Sequence, residues 1–436
     1  MERLLYEHAR KIYEGSIREN KPAFAVKRAL FEKWDEINST KGKIIVVAIG
    51  KAGWEMGRQA SKLLSDKVSH GIIITKYDHI PREQKSESTD SASPSLVGYL
   101  NNIELHEASH PVVDFNGICA TKRALEMTED LTDEDLVIFL VSGGGSALFE
   151  NVSCSLDAYQ FFTRELYKSG ADIGEMNTLR KHISNVKGGR FAEHIAPAKI
   201  IAIVLSDVVG NDLSTIASGP ATADPTTVSD CEKILKKYNI SPTEEIDALI
   251  RRETPKEITN AAHIISGSVA ELCKSAWKFA DICGYYPTIC MNNVECDIDS
   301  MIQNFKMIVE ENKHPVACLA FIFGGEITVK VTGSGLGGRN QELALRCAEI
   351  IKGCDNMAVF CVGSDGTDGP TDAAGGYVDG STCHKLEKAG ISLEECLKNN
   401  DSYTALKAID GLISTGPTGT NVNDLYVLLI RSDKND

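Results

Sequence analysis

KIIAIVLSDVVGNDLSTIASGPATADPTT, residues 199–227, is the stretch on which the fold reading turns. After Lys199, six residues are apolar without alternation, the pattern of a strand buried on both faces of a parallel sheet. The rest crowds Asp207, Asn211, Asp212 and Asp224 among Ser206, Ser214, Ser218, Thr226 and Thr227. A linker would be Gly/Ser- or Pro-rich without that density of carboxyl and hydroxyl groups. Ligands of open α/β sheets bind at the carboxyl ends of strands, so this junction reads as a site loop on a rigid scaffold.

The same apolar pattern recurs at 43–49, 71–76 and 136–142, and amphipathic helical stretches lie at 51–64, 116–128 and 156–169. The alternation predicts an α/β fold with a largely parallel sheet. Residues 78–98 are polar and Ser/Pro-rich and read as an exposed loop. After Pro225 a charged helical segment follows, and a second α/β series begins at His263. The expected organisation is two domains, 1–240 and 260–436, with 241–259 as connector.

The chain has 436 residues and a formal net charge of −15. That balance argues against a nucleic-acid partner, whose footprint would be a basic face. Any anionic substrate must be held by a local positive cluster against the overall field. The 13 cysteines form no C-x-x-C pair and no zinc spacing with histidine, and read as reduced thiols. No apolar run approaches the ~20 residues of a membrane span, so no membrane partner is expected. The N-terminus lacks the pattern of a signal or transit peptide, which leaves the cytoplasm as the expected compartment.

Five segments could carry chemistry. In AIGKAGWEMG (48–57), Lys51 opens a helix just after a strand, where unpaired N–H groups favour an anion. In LVSGGGSALFE (140–150), Ser142, Gly143, Gly144, Gly145 and Ser146 suit a phosphate or carboxylate cradle, since glycine lets backbone N–H groups approach a ligand. In MNTLRKHISNVKGGRFAEH (176–194), helical spacing would set Arg180, Ser184 and Lys187 near one face. GGEITVKVTGSGLGGRNQELAL (324–345) places Arg339 on a glycine-rich loop opening a helix. Its G-x-G-x-x-G-like spacing lacks the setting of a dinucleotide fold. VGSDGTDGPTDAAGG (362–376) offers Asp365, Asp368 and Asp372; magnesium shared with phosphates needs only one or two carboxylates. His110, in ASHPVVDFNG, is either a candidate base or a structural imidazole at a proline turn.

Taken together these segments resemble the glycerate 2-kinase family, the class with a C-terminal MOFRL domain. The matching strings include AIGKA, SHPVVDFNG, VSGGGSAL, NVKGGR, SDVVGNDLSTIASGP, GLGGRNQELAL, SDGTDGPTDAAG and TGPTGTNVNDLYVLL, in the family's order. Three positions depart from the pattern: Val113 replaces a proline, Asn211 stands where Asp is common, and Ala221 where Thr is usual. Asn211 shifts the expected metal-binding role to Asp207 or the Asp365 loop.

The resemblance implies a Rossmann-like three-layer N-terminal domain, a smaller α/β C-terminal domain and an active site in the cleft between them. It implies ATP- and Mg2+-dependent phosphorylation of D-glycerate at its 2-hydroxyl by a monomer or homodimer. Lys51 and Arg339 would stabilise the transferred phosphoryl group or grip glycerate. Asp207 would be base or metal-orienting carboxylate. The loop from Ser142 to Ser146, with Lys187, would hold nucleotide phosphates. Arg180, Ser184 and His110 would contact substrate, and Asp207, Asp365 and Asp368 would serve the metal. The rival readings are an NAD(P)H-dependent hydroxypyruvate reductase and a non-catalytic small-acid binding protein. AIGKAG has too few glycines for the reductase's dinucleotide fingerprint. The joint presence of Lys51, Arg339, Asp207 and the Asp365 loop speaks against a mere binder.

Overall fold

Each apolar strand of the first half divides its side chains between two cores. The computed structural model describes residues 1–85, 94–206 and 212–432. The strands are β1 (Ile44–Ile49), β2 (Val68–Lys76), β3 (Leu96–Leu100), β4 (Ile103–Ala108), β5 (Leu136–Val141), β6 (Lys199–Leu205) and β7 (Ala261–Gly267). Ile45, Val47 and Ile49 of β1 enter one core, and Ile44, Val46 and Ala48 the other. Helices cover both faces: Pro22–Glu32 and Gly53–Leu64 on one, Phe115–Met127 and Arg190–Ile195 on the other. The result is a three-layer α/β unit, as a continuously apolar parallel sheet requires.

The strand order is β3-β4-β2-β1-β5-β6-β7. β4, β2, β1, β5 and β6 are successive parallel neighbours, and β3 runs antiparallel on β4. The chain leaves β1 towards β2 and later returns to β1's other side as β5. That reversal makes the carboxyl ends of β1 and β5 a topological switch point, where such sheets open a crevice.

The second unit holds a six-stranded sheet. Its strands are β8 (Tyr286–Asp297), β9 (Leu319–Thr328), β10 (Met357–Gly363), β11 (Gly375–Asp379), β12 (Leu412–Ile413) and β13 (Asp424–Ile430), in the order β12-β11-β10-β13-β9-β8. Only β8 and β9 pair in parallel; the other neighbours are antiparallel. Helices Ile298–Glu311 and Arg339–Ile350 pack on one face, Val269–Ile282 on the other.

The compact units run Ala25–Ser266, and Met1–Phe24 with Gly267–Asp436. The division differs from the sequence expectation at two places. The first helix, Glu2–Glu19, packs with the second unit, because Leu5, Ala9 and Ile12 share a core with Leu272, Ala276 and Val427. Within residues 241–259, expected as a helical connector, helix Glu244–Ile250 buries Ile246, Leu249 and Ile250 beside Leu179 and Ile183, so the segment belongs to the first unit. All 13 cysteines are free thiols. No described helix is long and apolar enough to cross a membrane.

Candidate active site

The turn after β1 is pinned on both sides. Lys51 N–H donates to Gly143 O at 2.9 Å, Thr75 Oγ1 donates to Gly50 O at 3.0 Å, and His79 Nδ1 lies 2.8 Å from Lys51 O. Gly50 has φ +106° and lies so close to Ser142 that any side chain there would collide with it. The Lys51 side chain is exposed.

The loop after β5 supplies backbone donors. Gly145 and Ala147 N–H bond back into the turn, at 3.3 and 3.1 Å. Among the described residues the N–H groups of Gly143, Gly144 and Ser146 have no hydrogen-bond partner. Gly144 has φ +86°, a conformation that glycine adopts at little cost. A side chain on it would begin 3.0 Å from His110 Cδ2 and 3.1 Å from Lys51 Cγ. The Lys51 and His110 side chains therefore meet at Gly144, within a loop that carries three N–H groups without a partner among the described residues. An anion fits such a cluster, because each donor left dry without a partner costs free energy.

Other expected ligands of this loop are spent within the protein. Ser142 Oγ donates to Ile49 O at 3.1 Å and accepts Ala52 N–H at 3.0 Å, so it ties the turn together. Ser146 Oγ lies 3.1 Å from Ser218 Oγ. Ala217, Ser218 and Gly219 run through left-handed φ values of 51°, 60° and 63°. Two of these are non-glycine, which marks strain held by its surroundings. The hold is visible: Gly188 N–H donates to Ser218 O at 3.0 Å, and Gly189 N–H to Gly219 O at 2.8 Å. Asp207 and Asn211 lie outside the described residues.

The single helix expected through Arg180, Ser184 and Lys187 is corrected. Helix Ile173–Ile183 stops before Ser184, which bridges to Val152, and Gly188 and Gly189 turn with φ +57° and +86°. The three residues still meet, but below the loop, around the fully buried Glu150. Glu150 accepts Lys187 Nζ at 2.6 Å, Tyr159 OH at 2.8 Å and Ser184 Oγ. Lys187 and Ser184 are thus internal partners of Glu150. Burial brings the Lys187 ammonium down to about 8 against the pull of Glu150. Arg180 is buried as well, and its Nη2 donates to Ser146 O at 3.1 Å. That bond braces the loop after β5.

In the second unit Arg339 opens helix Arg339–Ile350. Its Nε and Nη2 fork onto Asp424 at 2.5 and 3.2 Å, and Nη1 donates to Glu326 at 2.7 Å. Asp424 is buried, and its carboxyl rises to about 6 because burial outweighs the pull of Arg339. The sequence reading passed over Asp424; its only signal was a place in TGPTGTNVNDLYVLL. Asp365 Oδ1 and Asp424 Oδ1 both lie 3.4 Å from where a Gly363 side chain would begin. Beside Arg339 a groove of about 470 Å3 is lined by Glu326, Thr328, Gly335, Gly338 and Glu342.

Asp368, expected to serve a metal, is engaged within the protein. Its Oδ1 accepts Asn340 N–H and Nδ2, and its Oδ2 accepts Gln341 N–H and Nε2, at 2.8 to 3.2 Å. Four donors fill the four lone-pair directions of a carboxylate, and they cap the helix that carries Arg339. Asp365 accepts Thr367 N–H at 2.9 Å, and Asp372 accepts Tyr403 OH at 2.7 Å. Among the described residues no three His, Cys, Asp or Glu side chains gather as a protein-only metal site. The glycines of 333–338 pack against Asn399, Asp401, Ser402 and Asp368, so close packing within the protein accounts for them.

Two family models match the chain: a domain of unknown function, DUF4147, over residues 8–251, and the MOFRL family over 319–424. The chain is 45% identical to the D-glycerate 2-kinase of Thermotoga maritima, over 92% of this chain and 94% of that protein. It is 35% identical to a protein of Agrobacterium vitis named provisionally as a hydroxypyruvate reductase, over 97% and 93% of the two chains. The crystal structure of a glycerate kinase from Thermotoga maritima superposes with a TM-score of 0.87 at 43% identity, over 98% of this chain and 99% of that one.

Proposed function

The chain belongs to the glycerate kinase family that joins a DUF4147 domain to a MOFRL domain, and from that membership we propose that it transfers the γ-phosphoryl group of ATP to the 2-hydroxyl of D-glycerate, giving 2-phosphoglycerate. The observation that carries the reading is the meeting of the Lys51 and His110 side chains at Gly144, in a loop whose Gly143, Gly144 and Ser146 N–H groups have no partner among the described residues. Phosphoryl transfer asks mainly for positioning and for charge compensation at the equatorial oxygens. Backbone donors fixed by a buried base hold an oxyanion without reorganising. The Lys51 ammonium sits on a peptide pinned from two strands, which suits it to the transferred group.

Arg339 is the second cation of the proposed reaction, oriented by the fork to Asp424. Arg180 acts through Ser146 O and not on the ligand. Magnesium is proposed to be carried by the nucleotide phosphates with Asp365, and with Asp207 as the other candidate, since one or two carboxylates suffice for it. When bound it would neutralise phosphate charge. The residues of the Lys51 turn meet the acceptor and the cradle meets the phosphates.

The test is phosphorus NMR on the purified chain with D-glycerate, ATP and magnesium. A 2-phosphoglycerate resonance that requires magnesium is the expected result. Intact ATP and unchanged glycerate, with nicotinamide oxidised on hydroxypyruvate, would instead establish the reductase reading.

A further inference from the structure

Three ionisable groups follow β2 in the sequence Tyr77-Asp78-His79. Tyr77 OH donates to Asp114 Oδ2 at 2.6 Å and accepts Asn116 Nδ2 at 2.9 Å. Burial and that carboxylate push its hydroxyl up to about 12, so it is no base at neutral pH. Asp78 is an exposed turn residue with φ +64°. His79 is different in kind. Its Nδ1 faces the carbonyl oxygen of Lys51 at 2.8 Å, and a carbonyl can only accept. The proton of the neutral ring therefore sits on Nδ1, and Nε2 carries the lone pair. The ring is exposed and is anchored to the very residue whose side chain reaches Gly144.

Of the described carboxylates along this edge of the sheet, three are already committed, and Asp78 is an exposed turn residue. Asp114 holds Gly117 N–H and Tyr77 OH, and Asp212 holds Ser214 N–H and Thr215 Oγ1. Glu107 holds Ile80 N–H and pairs with Lys85 at 2.6 Å. A phosphoryl transfer to an alcohol still needs an acceptor for the hydroxyl proton. Resting on the kinase reading, we propose that His79 takes that proton. The hydroxyl O–H bond breaks as its hydrogen passes to His79 Nε2. The hydroxyl oxygen forms the new bond to the γ-phosphorus, and the bond from that phosphorus to the β,γ-bridging oxygen breaks. ADP leaves with the electron pair, and the imidazolium then returns its proton to solvent.

The hydrogen bond to Lys51 lets anchoring and proton transfer be separated. In His79→Asn the amide N–H stands where Nδ1–H stood and can still hold Lys51 O, but no acceptor remains at the place of Nε2. Its kcat is expected to fall ~10²–10⁴-fold, as for loss of a general base, with KM for both substrates and the melting temperature unchanged. His79→Ala is expected to regain turnover when free imidazole is added, which a purely structural role would not allow. Wild-type kcat in His79→Asn, or an inactive His79→Ala that imidazole does not rescue, overturns the assignment while wild-type protein still makes phosphoglycerate. Absence of phosphoglycerate from the wild-type protein overturns the kinase reading and this assignment with it.

Discussion

Lys51 and Arg339 are both candidate phosphoryl-binding cations, yet their surroundings predict different costs of removal. The Lys51 peptide is held by Gly143, Thr75 and His79 through backbone atoms, and the side chain adds nothing to that hold. Lys51→Ala should lower turnover ~10²-fold or more, the scale of losing a charge-stabilising group, with an unchanged melting temperature. Arg339→Ala should lose turnover on the same scale but melt earlier, because it leaves the buried Asp424 without its fork. Turnover near that of the wild type in both variants would remove these residues from the mechanism. Asp424 makes a further prediction. Its carboxyl titrates at about 6 in the fold against an ordinary value of 3.8. Between those values the folded chain holds a proton that the unfolded chain has released. Stability should therefore fall as pH rises across that window. Denaturant titrations at stepped pH should show that slope in the wild-type protein and not in Asp424→Asn. An equal slope in both would rule Asp424 out as its source.

At the scale of elements, the turn from helix Ile173–Ile183 to helix Arg190–Ile195 exists to bring Lys187 onto Glu150. Both side chains are wholly buried, 2.6 Å apart. Removing one partner of such a pair strands a buried charge. Lys187→Met should cost ~3–5 kcal/mol, and adding Glu150→Gln should recover much of that loss. Chemical denaturation of the two single variants and the double variant would measure the coupling; strictly additive losses would contradict it. This network also shows where sequence reading stopped. The strands were legible, because β1, β5 and β6 are apolar on both faces and nothing but a parallel sheet suits that. The glycine loop after β5 was legible too, because three successive glycines let the backbone turn tightly there; that it cradles an anion remains the proposal. The fate of Lys187 was not, since Glu150 stands 37 positions away and helical spacing gives no sign of a break at Ser184. The partners of Asp368 were hidden for a similar reason: an aspartate in a turn-rich loop gives no sign that Asn340 and Gln341 donate to its carboxylate. Asp424 was missed because a single acid at the head of an apolar strand carries no pattern of its own.

On the scale of the whole molecule the chain begins in one unit, crosses to build the other, and returns. An amphipathic helix at residue 2 declares an apolar face but not the surface that receives it, so its place was invisible in the sequence. What receives it is helix Val269–Ile282. Gly15 allows Phe279 to pack close, Asn20 Nδ2 donates to Ser275 Oγ at 3.1 Å, and Glu19 pairs with Lys278 at 2.6 Å. Ile12 lies fully buried in that core. Ile12→Ala should cost ~2–5 kcal/mol through lost burial and the cavity left behind. The loss should be local to the second unit. Hydrogen exchange should speed up along Val269–Ile282 and β13, whose Leu425, Val427 and Leu429 share that core, while β1 and β5, in cores that contain no residue of the first helix, keep their protection. Equal loosening of β1 and β5, or an unaltered Val269–Ile282, would mean that the first helix does not stabilise the unit it is packed in. A selective loss would show that the Arg339 network depends for its stability on residues at the opposite end of the chain.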